Sequence, residues 1–468
     1  MASKKNNLIV FVIRSTWQFF YSKTIVSALC ARGYQVLVLL DRKWSKGDSL
    51  EKLEEYKRTY TLFDYAWAYS RTDWWRHVLF HTRELLTYRR YLIVKEEDRQ
   101  SRYYTTRWFK YLPRTTQTIL SFPLGERMLA SRVAGAFLRS VERVAPPGRA
   151  IINQLQALSP ACLVASPVNM RFPSCDLEYL KAAKKLGIPT VVPVISWDNL
   201  TTKGLLHVWP DRLLVWNDVQ KVESEKHQNF PQDRVRIIGA PVFDGWFAGL
   251  KTSCSREEFC RAHGLKSEYP IVTYLGSSGK MARDETWIVE ALRAVLDRAA
   301  DPHMRATQII IRPHPANFRN YERLRLPGVV VVPQKGTLPD SRAALHLFYD
   351  SIAHSVCTII GANTSGIIDA TIAGRVGVAI LTDQYKATQS DTVHFRQLTG
   401  AGALELAKGP EGFPAILKNL LEGRDLRKEN RAAFVARYIR PRGLDREVGE
   451  VAVDEITKLI DESRLHAL

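Results

Sequence analysis

Tyr349-Asp350-Ser351-Ile352-Ala353-His354-Ser355-Val356-Cys357-Thr358-Ile359-Ile360-Gly361-Ala362-Asn363-Thr364-Ser365-Gly366-Ile367-Ile368-Asp369-Ala370-Thr371-Ile372-Ala373-Gly374-Arg375 decides the fold. The apolar run Val356 to Ile360 reads as a buried strand, and Gly361 to Gly366 as a turn. Ile367, Ile368, Ala370 and Ile372 follow at helical spacing, Gly374 stops them, and Val376 to Leu381 is a second buried run. Strand, Gly-bearing turn, helix and strand within roughly 30 residues make one βαβ unit. Asn363, Thr364, Ser365 and Gly366 sit where the helix should begin. Free backbone N–H groups, the helix dipole and two hydroxyls favour an anionic ligand group there. Ordinary capping is the competing use of the same residues.

Upstream, Ile271 to Leu275 reads as a strand, then Gly276-Ser277-Ser278-Gly279-Lys280, then a helix from about Asp284 to Asp297. Such a turn can cradle phosphates, although it lacks Walker spacing. The strand Gln308 to Ile311 runs into Arg312-Pro313-His314-Pro315, whose prolines fix the backbone and hold the imidazole outward. Val329 to Val332 is a further strand. After Leu381, the loop bearing Gln389-Ser390-Asp391-Thr392-Val393-His394 falls on the same ligand edge.

The N-terminal half repeats the alternation. Leu8 to Ile13 is a strand, a helix runs to Cys30 with Gly33 past its end, and Tyr34 to Leu40 is the next strand. Arg14, Ser15 and Thr16 then lie at a strand's carboxyl end, where open α/β sheets bind ligands. Ala161 to Ala165, Thr190 to Ile195, Leu213 to Val215 and Arg234 to Ile238 continue the parallel sheet. The strand Thr190 to Ile195 leads into Ser196-Trp197-Asp198-Asn199. Residues 65–118 interrupt the pattern with interleaved aromatics and arginines. That composition suits anionic lipid or single-stranded nucleic acid. It equally suits a helical insertion whose aromatics face the protein.

The expected architecture is α/β: two doubly wound, Rossmann-like domains with an inserted basic-aromatic helical segment. Residues 1–246 form the first domain, 247–269 a linker, 270–440 the second domain and 441–468 a final helix. A length of 468 residues fits two domains, and 46% hydrophobic content fits an ordinary globular chain. The formal net charge of +19 favours anionic partners. Six cysteines without a CxxC pair fit reduced thiols, not a disulfide framework or zinc site. No cleavable leader and no run of about 18 apolar residues is present, so a cytoplasmic protein, at most peripheral to the inner face of a membrane, is expected.

The whole resembles the GT-B architecture of nucleotide-sugar glycosyltransferases. Residues from about 190 to 400 resemble the CDP-glycerol glycerophosphotransferase and capsule-polymerase group. Arg312 to Pro315 match that group's Arg-Pro-His-Pro element, and Thr364-Ser365, Asp369 and Gly374-Arg375 match its serine pair, acidic residue and Gly-Lys. Ala362-Asn363 and Val376 depart from it, and its N-terminal Thr-His-Gly histidine has no counterpart. Sugar transfer is therefore expected over transfer of a polyol phosphate.

The resemblance implies a nucleotide-sugar donor in the second domain, a glycan or lipid-linked acceptor, and no metal or cofactor. His314 is then the leading catalytic residue, with Arg312 beside it at the donor phosphate, Asp198 as first choice of base and His394 as second. Gly276 to Lys280 and Asn363 to Gly366 would hold the diphosphate, and Asp369 a sugar or ribose hydroxyl. Arg14, Ser15, Thr16, Trp197 and Asn199 would face the acceptor. A UDP-sugar 2-epimerase, a polyol-phosphate transferase and a basic membrane- or nucleic-acid-binding scaffold are the alternatives. Nucleic acid ranks last, since no RNA-binding or helix-turn-helix signature is present.

Overall fold

Leu8–Ile13 (β1) is apolar throughout because both its faces are covered. Ile9, Phe11 and Ile13 enter one core layer, and Val10 and Val12 the other. This two-sided burial is the signature of a parallel sheet clad by helices. In the computed structural model, which describes residues 7–94, 102–170 and 174–466, there are two such sheets.

The first contains β1, β2 (Gln35–Asp41), β3 (Phe63–Ala68), β4 (Cys162–Ser166), β5 (Thr190–Pro193), β6 (Arg212–Val215) and β7 (Val235–Ile237). Its order is β3-β2-β1-β4-β5-β6-β7, with every pair parallel. The second contains β8 (Ile271–Leu275), β9 (Gln308–Arg312), β10 (Val329–Val331), β11 (Cys357–Ile360), β12 (Val376–Leu381) and β13 (Leu404–Lys408). Its order is β10-β9-β8-β11-β12-β13, again parallel throughout. Strand order reverses between β1 and β4 in one sheet and between β8 and β11 in the other. Ligands of open α/β sheets bind at such reversals, outside the carboxyl ends.

The compact units are residues 1–244 with 438–468, and 245–437. The stretch expected as a linker, 247–269, belongs to the second unit. Its helix Arg256–His263 buries Phe259 and Cys260 in a cluster with Ile271, Ile310 and Val332. Helix Val448–His466 belongs to the first unit, packing Val448, Val451, Ala452 and Ile456 with Ile25, Val26 and Leu29 of helix Thr16–Ala31. Gly449 is required there, because a Cβ would lie 2.5 Å from the Thr24 carbonyl oxygen. Asp244 accepts from the N–H groups of Val448 and Gly449, each at 3.0 Å, and from Arg440 at 2.7 Å.

The aromatic-basic segment begins as strand, since Phe63, Tyr65 and Trp67 alternate along β3. Helices follow among the described residues, Trp75–Ile93 first and then, between 102 and 158, Arg102–Tyr111 through Arg149–Leu158, before β4. Tyr88, Tyr91, Tyr104 and Trp108 are buried around Leu120, Leu129 and Leu138, so these four face the protein, whereas Trp67, Tyr69 and Trp74 are exposed. The arginines are not simply solvated. Arg83 bonds Glu142 at 2.8 and 2.9 Å and Glu178 at 2.6 Å, and Arg71 reaches Glu178 at 2.9 Å. Arg90 donates to the carbonyls of Leu200 (3.0 Å) and Thr201 (3.2 Å). Arg99, part of the same sequence pattern, lies outside the described residues.

Candidate functional site

Because β8, β9, β11 and β12 are adjacent and parallel, their following loops meet at one edge of the second sheet. Hydrogen bonds join those loops in series. Gly276 N–H donates to the Arg312 carbonyl at 2.9 Å. Asn317 Nδ2 donates to the carbonyls of Ser277 and Ala282, each at 3.2 Å, joining the Arg-Pro-His-Pro loop to the β8 turn. Thr388 Oγ1 donates to the Met281 carbonyl at 2.9 Å, joining the β12 loop to that turn. The side chain of Asn363 lies 2.8 Å from His394 Nε2 and 3.3 Å from Thr392 Oγ1, joining β11 to the β12 loop.

His314 is half-buried, and its Nδ1 accepts the Ala316 N–H at 3.0 Å. Burial lowers its pKa below the usual imidazole value. A neutral ring whose Nδ1 is an acceptor carries its proton on Nε2. His314 thus offers a fixed donor, not a base. Gly336 supports this loop: its φ is +66°, and a Cβ would come within 2.4 Å of the Pro313 carbonyl oxygen.

The β8 turn differs from the expected phosphate cradle. Ser277 is fully buried and gives both its N–H and its hydroxyl to Glu285, the hydroxyl at 2.9 Å. Tyr274 also donates to Glu285, at 2.9 Å. Gly276 is buried too; Gly279 and Lys280 are the exposed residues of the turn, with Ser278 half-buried. Across the reversal, Ser365 is exposed and Thr364 half-buried, and neither hydroxyl is engaged by another described residue. The helix Gly366–Ile372 has only 7 residues and no side-chain cap, so its hydroxyls matter more than its small dipole.

Arg312 and Asp369 are drawn beneath the loops into a buried knot. Arg312 lies 4.6 Å over the Phe348 ring and donates to Ser351 Oγ at 3.0 Å and the Leu347 carbonyl at 3.3 Å. Burial lowers its pKa to about 9 despite the charge of Asp369. Burial raises the Asp369 pKa to about 8, against the opposing pull of a Trp246 hydrogen bond and Arg312. These two residues brace the site from below. Sequence reasoning missed Trp246, Asn317, Gly336 and Glu285, which carry no motif, and gave no role to Gln389. Gln389 is fully buried with neither end of its amide partnered among the described residues, and Asn363 Oδ1 is likewise unpartnered.

At the first sheet's reversal, the Arg14 guanidinium lies 3.5 Å over the Trp44 ring. Burial lowers its pKa while Asp176 and Asp41 oppose that. Asp41 accepts from the N–H groups of Lys43 (2.9 Å) and Cys175 (3.1 Å). Asp176 is fully buried, its Oδ1 bonded to Ser174 and to the Leu177 N–H, and its Oδ2 unpartnered. Burial raises its pKa to about 6. Ser15 is buried with an unpartnered hydroxyl, whereas Thr16 gives its N–H and hydroxyl to Asp48 at 3.1 and 2.7 Å.

Asp198 is already committed: Oδ1 accepts from Ser196 (2.6 Å), and Oδ2 from Thr202 (2.7 Å) and Lys203 (2.9 Å). Asn199 is locked to Asn169 at 2.6 Å and is buried, while Trp197 stays half-buried. Asp41 and Asp176, the acids that do surround Arg14, were not singled out from sequence.

No protein-family model matches this chain, and no curated protein matches it in sequence. Solved structures do. A glycosyltransferase from Rickettsia africae covers 97% of this chain and 99% of its own, with a TM-score of 0.53 and 9% identity. A UDP-GlcNAc 2-epimerase from Methanocaldococcus jannaschii covers 96% and 99%, with a TM-score of 0.51 and 10% identity. The same archaeal epimerase in complex with UDP-GlcNAc and UDP gives a TM-score of 0.50 at 11% identity over 96% and 99% of the two chains. Identities this low speak for fold, and the fold of this chain is GT-B.

Proposed function

We propose that the protein is a glycosyltransferase moving a sugar from a nucleoside-diphosphate donor to a cell-surface glycan or lipid-linked acceptor. The observation that carries this reading is His314, its Nδ1 occupied so that a neutral ring donates from Nε2, on the sheet edge where the hydroxyls of Thr364 and Ser365 are not engaged by another described residue. An N–H donor and two hydroxyls suit the oxygens of a leaving diphosphate, where negative charge grows as the glycosidic bond breaks. Gly279 and Lys280 offer an exposed backbone and a cation on the other side of the reversal. That a GT-B epimerase has been crystallised with UDP-GlcNAc and UDP supports a nucleoside-diphosphate site in this fold. The reading calls for no metal.

In the reaction, an acceptor oxygen attacks the anomeric carbon, and the bond to phosphate breaks with its electron pair leaving on the diphosphate. The acceptor's proton needs a base. Asp198 has both oxygens occupied by neighbours, and Asp176 is fully buried with its pKa raised to about 6, so neither is assigned that role. His394 is buried against Asn363, which argues for positioning. Asn363 and Gln389 are buried as Asp369 is, so none of the three is assigned to a sugar or ribose hydroxyl.

A thermal-shift panel of CDP, UDP, GDP, CMP and dTDP against wild type and His314→Ala tests the donor site, since a ligand of the folded state raises the melting temperature. A shift with one nucleotide, lost in the variant, supports the site and names the base. No shift with any would overturn it. Product formed from a UDP-sugar with no acceptor present would point to epimerisation instead.

A further inference from the structure

The helices that bury the aromatic residues of the first unit leave a different set of apolar side chains outside. Helix Arg132–Val144 turns Gly135, Leu138 and Glu142 inward. On the opposite side, Val133, Phe137, Ser140 and Val144 follow in steps of three and four and so form one stripe. Val133 is 80% exposed, Phe137 66% and Val144 73%. The preceding short helices do the same: Leu120 and Leu129 join the core, whereas Ile119, Phe122, Leu124 and Met128 are exposed. The layer is held rigidly, because Arg89 donates to the carbonyls of Ala130 (2.9 Å) and Ser131 (3.0 Å) beneath it.

Charge says what covers this face. Between residues 114 and 144, Arg114, Arg127, Arg132, Arg139 and Arg143 are exposed, and Glu126 is the one exposed acid, since Glu142 is buried against Arg83. On helix Arg132–Val144 the arginines at 132, 139 and 143 flank the apolar stripe along one border. A protein partner would be expected to meet a mixed rim. Outward apolar side chains bordered by cations of one sign fit the interface of an anionic bilayer, with the aliphatic and aromatic groups entering the acyl boundary and guanidinium groups at the phosphates. We propose that residues 114–144 form a docking surface for anionic phospholipid membranes. The proposal goes beyond the transferase reading and does not depend on it. It also places the membrane-facing element after the helices that bury Tyr88, Tyr91, Tyr104 and Trp108.

The test is co-sedimentation of the full chain with vesicles of phosphatidylcholine alone or mixed with phosphatidylglycerol. Wild type is expected to pellet with the mixed vesicles, weakly with the neutral ones, and to be released as salt rises. Phe122→Ser/Phe137→Ser is expected to weaken binding at least tenfold with an unchanged melting temperature, both residues being exposed. Arg132→Glu/Arg139→Glu should abolish the preference for phosphatidylglycerol. Wild type that ignores the mixed vesicles, or a phenylalanine variant that binds them equally well, overturns the proposal. So does light scattering showing that wild type dimerises in solution while the variant does not. Nucleotide-dependent thermal shifts, read without lipid, report on the transferase site separately.

Discussion

Ala316 gives its backbone N–H to Nδ1 of His314 at 3.0 Å, and that bond leaves the neutral ring's proton on Nε2. With Nδ1 occupied and the ring neutral, Nε2 donates. His314→Ala should lower turnover on the order of 10²- to 10³-fold, the usual cost of losing one donor to developing charge. His314→Gln, which keeps an N–H, should recover part of it. Initial rates with a saturating donor check this; an Ala variant as fast as wild type rejects the role.

Asp369 sets a pH dependence of stability. Its folded pKa is about 8 against 3.8, so the folded chain holds this proton at pH values where the unfolded chain has lost it. Stability from this group is therefore greatest at acid pH and falls as pH rises, by up to about 6 kcal/mol at 1.36 kcal/mol per unit. Asp369→Asn removes the titration. Urea midpoints should show the variant gaining on wild type between about pH 5 and pH 8; parallel curves would refute the assignment.

Gly336 holds φ at +66° against the Pro313 carbonyl. Gly336→Ala should cost roughly 1–2 kcal/mol for the left-handed backbone alone, and more for the clash. It should also weaken nucleotide binding by displacing His314. Tm together with a nucleotide titration reads both effects; a variant with native affinity would show that the loop yields elsewhere.

Glu142 pairs with Arg83 at 2.8 and 2.9 Å and with Lys181 at 3.0 Å, all three largely buried. Glu142→Gln should destabilise the first unit by about 3–5 kcal/mol, because a buried guanidinium is left short of its counter-charge. Denaturant unfolding measures this, and a loss under about 1 kcal/mol would mean that water reaches the pair.

Strands β1, β8, β9, β11 and β12 were readable as continuous apolar runs ending in polar or Gly-bearing turns, and their order follows from the usual handedness of βαβ connections. His314 was readable because two prolines mark it. Asp369, by contrast, looked like a ligand contact since its position along the helix was right; only burial beside Trp246 and Arg312 shows it working from beneath. Ser277 failed as a cradle for a similar reason, its partner Glu285 lying past a turn with no motif. The aromatic-arginine segment left two readings open, and the burial of Tyr88, Tyr91, Tyr104 and Trp108 favours the helical insertion. Period and composition cannot tell a helix face packed on neighbours from one facing lipid, because both are apolar and both are rimmed by cations.

The return of helix Val448–His466 to the first unit has a consequence for synthesis. As residues 8–244 leave the ribosome, one flank of helix Thr16–Ala31 stays bare until the whole second unit has been translated. The second unit is one continuous segment and has no such wait. The half that emerges first is thus the half that matures last, and a nascent chain halted before Val448 should bind a hydrophobic dye that the finished chain excludes.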